Sequence, residues 1–167
     1  MEISKRDLDL QKEFPEILKK LGGDPSKTCM SVMHGGIAIG DGWIPSLRTL
    51  FKYCQFQHDT NGYPQLVAEQ IKEKFGTLRF YYDFEDCSIE KHKGRSDRNS
   101  ETLEGAIDFA EMLTQSICEE CGQPGKIRKD RWIRVRCDKC ETKQKNKMKW
   151  IKFKRSFTRF FKFKSKI

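Results

Sequence analysis

The chain has 167 residues, 37% of them hydrophobic and 34% charged, which is enough apolar material for one modest core and argues against a disordered chain. No run of about 20 apolar residues occurs, so no helical membrane span is expected. Positions 1–10 alternate charged and apolar residues, without the continuous apolar stretch of a secretory signal, and the expected compartment is the cytoplasm. The formal charge of +9 divides unevenly. Residues 1–125 hold 15 Lys and Arg against 21 Asp and Glu, and residues 126–167 hold 18 against 3. A cationic block of this kind meets a polyanion, an acidic protein surface or a membrane face.

Residues 4–21 read as a helix broken or kinked near Pro15, with Ser4 as its cap and Leu8, Leu10, Phe14, Ile17, Leu18 and Leu21 as an apolar stripe. Gly22 to Pro25 stop it. Residues 29–42 hold four glycines and read as a loop. Its Gly-Asp-Gly-Trp end, residues 40–43, is a tight turn that docks Trp43. No Lys-Ser or Lys-Thr closes it, so it is not a phosphate cradle. Residues 44–57 read as a helix with Pro45 in its first turn and Ile44, Leu47, Leu50, Phe51 and Cys54 on one face.

Residues 66–83 carry the clearest β signal. Two extended runs flank Lys74-Phe75-Gly76, and Gly76 supplies the left-handed residue of a hairpin. Leu78, Phe80 and Tyr82 fall on one face, Arg79 and Tyr81 on the other. Residues 85–100 are polar and read as a loop. Residues 101–117 read as a helix capped by Ser100, with Leu103, Ile107, Ala110, Leu113 and Ile117 on its stripe, running directly into Cys118.

Seven cysteines occur. Cys118 and Cys121 form one Cys-x-x-Cys pair, and Cys137 and Cys140 form a second after fifteen residues. Each such turn presents two sulfurs to one side of an ion. A hairpin that begins at Ile127 and Arg128, turns at residues 129–131 and returns through residues 132–136 brings the pairs together. The pattern predicts one structural zinc ion in a zinc ribbon, with four thiolates leaving no open position for catalysis. Cys29, Cys54 and Cys87 read as buried or incidental thiols.

Several segments together resemble a group of small proteins of bacteria and their phages. They are Gly-Asp-Gly-Trp at 40–43, Lys-Glu-Lys-Phe-Gly-Thr-Leu-Arg-Phe-Tyr-Tyr at 72–82, Ala110-Glu111, Cys-Glu-Glu-Cys-Gly-Gln-Pro-Gly at 118–125, and Trp132 ahead of Cys137 and Cys140. The resemblance covers about residues 40–140 and implies an architecture without implying a chemistry. Residues 1–39 and those after Glu141 fall outside it.

The expected fold class is α+β: an antiparallel hairpin packed with helices (residues 1–117), a zinc ribbon (118–141) and a basic amphipathic helix (142–167). In the ribbon, Lys126, Arg128, Lys129, Arg131, Arg134 and Arg136 surround Trp132. Such cations neutralise phosphates, and an exposed Trp stacks on an unpaired base. For Trp132 and Ile133, packing against the helix ending at 117 is the favoured reading. For the cations, polyanion contact is favoured over a solvated face. In the tail, Trp150, Phe153, Phe157, Phe160 and Phe161 recur at helical spacing among Lys149, Lys152, Lys154, Arg155 and Arg159. This helix suits docking on the body or a partner, then nucleic acid, then a membrane surface. Asp41, His34, His58 and Asp59 have no catalytic spacing, and His92 stands apart, so a non-enzymatic role is expected. The resulting reading is a zinc-ribbon protein that contacts DNA or RNA with weak sequence preference, or an acidic protein surface. The alternative is a phage- or mobile-element-type effector that inhibits a host protein.

Overall fold

The structure, a computed structural model, describes residues 3–23, 33–85, 96–129 and 132–164, excluding the side chains of residues 34, 96–100 and 155–164. The fold is α+β, with four helices and two small antiparallel sheets among the described residues. Helix α1 spans Lys5–Glu13, and Ser4 Oγ accepts the Asp7 amide at 3.2 Å. Pro15 cannot continue the helix, and residues 14–22 pass into turns. Leu10, Phe14, Ile17, Leu18 and Leu21 are buried as expected, whereas Leu8 is exposed.

Helix α2 runs Ile44–Asn61, four residues longer than the periodicity indicates. Gly62 ends it at φ 67°, and its amide donates to the His58 carbonyl at 3.2 Å. Strands β1 (Leu66–Lys74) and β2 (Thr77–Phe84) form the predicted hairpin. Both residues of its two-residue turn have positive φ, 54° at Phe75 and 77° at Gly76, which matches the right-handed twist of the strands.

Leu78 and Phe80 are buried and Tyr82 half-buried on the inner face, with Arg79 half-buried and Tyr81 exposed on the outer one. Rings from the residue after α1, from α2 and from β2 form a continuous file: Phe14–Phe51 at 5.3 Å, Phe51–Phe80 at 5.7 Å, Phe80–Tyr82 at 5.6 Å and Tyr82–Phe84 at 5.5 Å. Phe80 sits mid-file, 4% exposed. Phe80→Ala will cost about 3 kcal/mol in denaturant unfolding, the low end for a buried Phe because half-buried Tyr82 can lean into the gap. A cost below about 1 kcal/mol would contradict the inward face of β2.

Helix α3 spans Ser96–Thr114. It begins before residue 101, so Ser100 lies within the helix rather than capping it, and residues 96–100 are not loop. Residues 86–95 of the predicted loop lie outside the described residues. The polar run before 101 hid the start because no apolar periodicity marks it. The helix also stops three residues short of Ile117. Leu103, Ile107 and Ala110 are buried, but Leu113 is exposed.

Both edges of the hairpin are occupied. The Leu78 amide donates to Thr114 Oγ1 at 3.1 Å and the Phe80 amide to Glu111 Oε1 at 2.8 Å. On the β1 side, the Ala38 amide donates to the Ile71 carbonyl and the Glu73 amide to the Ala38 carbonyl, each at 2.9 Å. Beyond α3 come β3 (Lys126–Arg128) and β4 (Arg134–Arg136), antiparallel, and then α4, Asp138–Lys164.

Candidate metal centre and the groove beside it

The first knuckle follows the turn that ends α3. The Cys118 amide donates to the Gln123 carbonyl at 2.8 Å, and the Gly122 amide to the Cys118 carbonyl at 2.9 Å. In the second, Cys137 follows β4 and Cys140 lies in the first turn of α4, where its amide donates to Cys137 Sγ at 3.4 Å. Pairing of Lys126 with Arg136 in the β3–β4 register closes the two knuckles on each other. The four sulfurs lie within 4.8 Å of one another, a group that could hold a metal ion.

Cys121 Sγ and Cys137 Sγ are 3.7 Å apart. A disulfide would need about 2.05 Å, whereas a tetrahedron with bonds of about 2.3 Å has an edge of about 3.8 Å. The Cys140 amide draws the Cys137 thiol down to about 7. Burial, and hydrogen bonding with Cys121, Cys137 and Cys118, push Cys140 up to about 12. Four sulfurs so close together can all be thiolates only around a cation. Cys54, by contrast, is a buried thiol whose burial pushes it up to about 12, out of reach of nucleophilic chemistry. Cys29 and Cys87 lie outside the described residues.

The first knuckle is fitted into the body. Gly42 donates its amide to the Glu119 carbonyl at 2.8 Å, and buried Trp43 donates Nε1–H to the Ile117 carbonyl at 2.7 Å. A Cβ on Gly42 would stand 2.2 Å from the Cys118 carbonyl oxygen and 2.4 Å from the Gly122 nitrogen. One on Gly40 would stand 2.1 Å from the Glu119 carbonyl oxygen. The Gly-Asp-Gly-Trp segment is therefore the socket of the first cysteine knuckle. From the other side, fully buried Val135 of β4 belongs to the main core.

Carboxylates hold part of the cationic cluster. Arg136 is buried and pairs with Glu119, Glu120 at 2.9 Å and Glu141. Arg134 pairs with Glu119 at 2.8 Å, and Arg128 with Asp138 at 2.5 Å. Burial pushes Glu119 up against the opposing pull of Arg134 and Arg136. Charge counting along the sequence misses this pairing, because the acids sit in the knuckles themselves.

An open groove of about 560 Å³ lies between the β3–β4 hairpin and α4, lined by Arg128, Trp132, Arg134, Arg136, Glu141, Gln144, Lys145, Met148, Lys149 and Lys152. It unites Arg128, Trp132, Arg134, Arg136, Lys149 and Lys152 from the predicted binding set, and adds Lys145 and Met148, which the sequence reading passed over. Their signal was available, since both lie one helical turn from Lys149 or Lys152.

Trp132 corrects an expectation. It does not pack against the α3 end but is 63% exposed, with Nε1–H donated to Glu73 Oε2 at 3.3 Å. Ile133 is likewise exposed. Val135 takes the inward place instead, fully buried in the main core. Trp150 and Phe153 are exposed too, with Lys154 Nζ 3.6 Å from the Trp150 ring centroid. Lys129 is exposed outside the groove lining. Arg131 and the side chains of Arg155 and Arg159 lie outside the described residues.

The described polar residues considered for catalysis are each engaged elsewhere, and His58 and Asp59 lie in the last turns of α2. His58 Nδ1 lies 2.8 Å from the Tyr63 carbonyl at the end of α2, Asp59 accepts from Gln55 at 2.9 Å, and Asp41 pairs with Arg6 at 2.7 Å. His92 and the side chain of His34 lie outside the described residues. Among the described residues, no helix is long and apolar enough to cross a membrane. No protein-family model, curated protein or solved structure matches the chain.

Proposed function

We propose that the four cysteines hold one structural zinc ion, and that the groove beside it binds DNA or RNA with little sequence preference in a non-enzymatic role. The donor set supports zinc: four cysteine sulfurs within 4.8 Å of one another can form a closed thiolate shell with no place for a reacting water. The observation that carries the binding reading is the groove, which sets exposed Trp132 among cations contributed by β3, β4 and α4. Lysines on α4 neutralise phosphates and release counterions, and a Trp face accepts a base regardless of its identity. No paired-helix device for reading base edges accompanies them.

Because Arg134 and Arg136 are tied to carboxylates, the exposed Lys149 and Lys152 carry the contact. The test is an anisotropy titration of labelled DNA and RNA oligonucleotides at two salt concentrations. Affinity should fall steeply with salt, and Lys149→Glu with Lys152→Glu should lower the slope of log affinity against log salt by about 2. Absence of binding to either polymer at low salt would overturn the reading and leave an acidic protein surface as the groove's partner.

A further inference from the structure

Trp132 and Met148 stand on opposite walls of the cationic groove, one on the ribbon hairpin and one on α4. Trp132 is exposed yet held in place. Its Nε1–H is donated to Glu73 Oε2 at 3.3 Å, and Glu73 Oε1 accepts the Gly76 amide at 2.7 Å. A single carboxylate of β1 thus ties the indole to the turn of the main hairpin. The N–H lies in the plane of the ring, so this bond grips an edge and leaves the flat faces to a ligand.

The helix wall has an order of its own. At 100° per residue, Lys152, Lys145 and Lys149 lie about 40°, 60° and 100° to one side of Met148, and Gln144 about 40° to the other. A thioether, 40% exposed, therefore sits beside a row of cations. The two kinds of group suit the two parts of a nucleotide. Ammonium groups neutralise phosphates, and a thioether packs favourably on a flat aromatic ring. Lys145 is engaged by Glu141 at 3.2 Å, which leaves the phosphate side to exposed Lys149 and Lys152.

We infer that the groove takes a single strand: an unpaired base enters between Trp132 and Met148, with its flanking phosphates along Lys149 and Lys152. This deepens the proposed nucleic-acid binding and rests on it. In a duplex both faces of every internal base are covered by its neighbours, so a duplex meets the lysines and gains nothing from Trp132 or Met148. Glu73 is a positioning residue, since it acts on the strand through the indole it holds.

Anisotropy titrations of the full chain at low salt test this, with labelled oligothymidylate, its duplex with oligoadenylate, and an abasic sugar-phosphate chain of the same length. The single strand should bind about 5- to 150-fold more tightly than the abasic chain, the range that one stacked base gives. It should also bind more tightly than the duplex, despite the duplex's higher charge density. Trp132→Ala should remove most of the advantage over the abasic chain, and Met148→Ala a smaller part. Both should leave affinity for the abasic chain and the salt slope unchanged, and both side chains are exposed enough for circular dichroism to confirm an intact fold. Equal affinity for the single strand and the abasic chain, tighter binding of the duplex, or an advantage that survives either variant intact would each overturn the inference while salt-dependent binding stands. Absence of binding to all three would overturn it together with the proposed function.

Discussion

Purified protein will contain one zinc per chain, and stripping it with a chelator will unfold residues 118–140. The β3–β4 hairpin has three residues per strand and one fully buried apolar side chain, Val135, so the sulfur cluster is what holds it. For structural zinc in small modules the apparent binding energy is about 10–16 kcal/mol, much of it expressed as folding. Cys121→Ser should lose the ion and reproduce the effect at the most exposed ligand position. Damage should reach the body as well, because Trp43 donates to Ile117 and Gly42 to Glu119 across the junction. Elemental analysis gives the stoichiometry, and hydrogen exchange gives the extent of unfolding. A zinc-free preparation, or unchanged protection of residues 118–140 after chelation, would contradict the assignment.

Gly42→Ala will destabilise the protein by about 3.5–5 kcal/mol, above the usual effect of one added methyl. The new Cβ would meet the Cys118 oxygen, the Gly122 nitrogen and the Cys121 nitrogen at 2.2, 2.4 and 2.8 Å. All are backbone atoms of a turn fixed by its own hydrogen bonds, so none can rotate away. Relief requires undocking the knuckle. That forfeits two hydrogen bonds worth about 1 kcal/mol each and uncovers Val135, worth about 1.5–3 kcal/mol. Gly62→Ala is the control: its Cβ meets nothing within 4 Å and pays only the left-handed backbone cost of about 1 kcal/mol. Denaturant unfolding of both variants decides the matter. Equal losses would mean that the close approach at Gly42 is not tight.

The elements most legible in the sequence are those with short-range causes. Cysteine spacing marks the metal-type cluster, alternation and Gly76 mark the hairpin with its inward face, and Ser4 marks the start of α1. What stayed hidden depends on segments far apart in the chain. Nothing near Gly42 announces that the backbone of residues 118–122 will lie against it. Nothing in a run of cations announces that Arg136 will be buried among Glu119, Glu120 and Glu141. Trp132 was misplaced for a related reason: side-chain size favours burial, but a short hairpin with Val135 inward has no room for both. Loss of periodicity before residue 101 concealed a helix start, because residues 96–100 offer no apolar residue to a stripe.

The last helix grows out of the sulfur cluster rather than following it. An isolated helix must first fix several residues for a single hydrogen bond, with a nucleation constant of about 0.001–0.004. Here Cys137 and Cys140 set that first turn, with the Cys140 amide on Cys137 Sγ and the Glu141 amide on the Cys137 carbonyl. Asp138 and Glu141 also place negative charge at the positive end of the dipole. The coil-to-helix transition of the cationic segment is thus templated at one end only. Its order should decay from Asp138 outward, so that under the proposed zinc binding metal supply would govern how far the segment is pre-shaped before it meets anything.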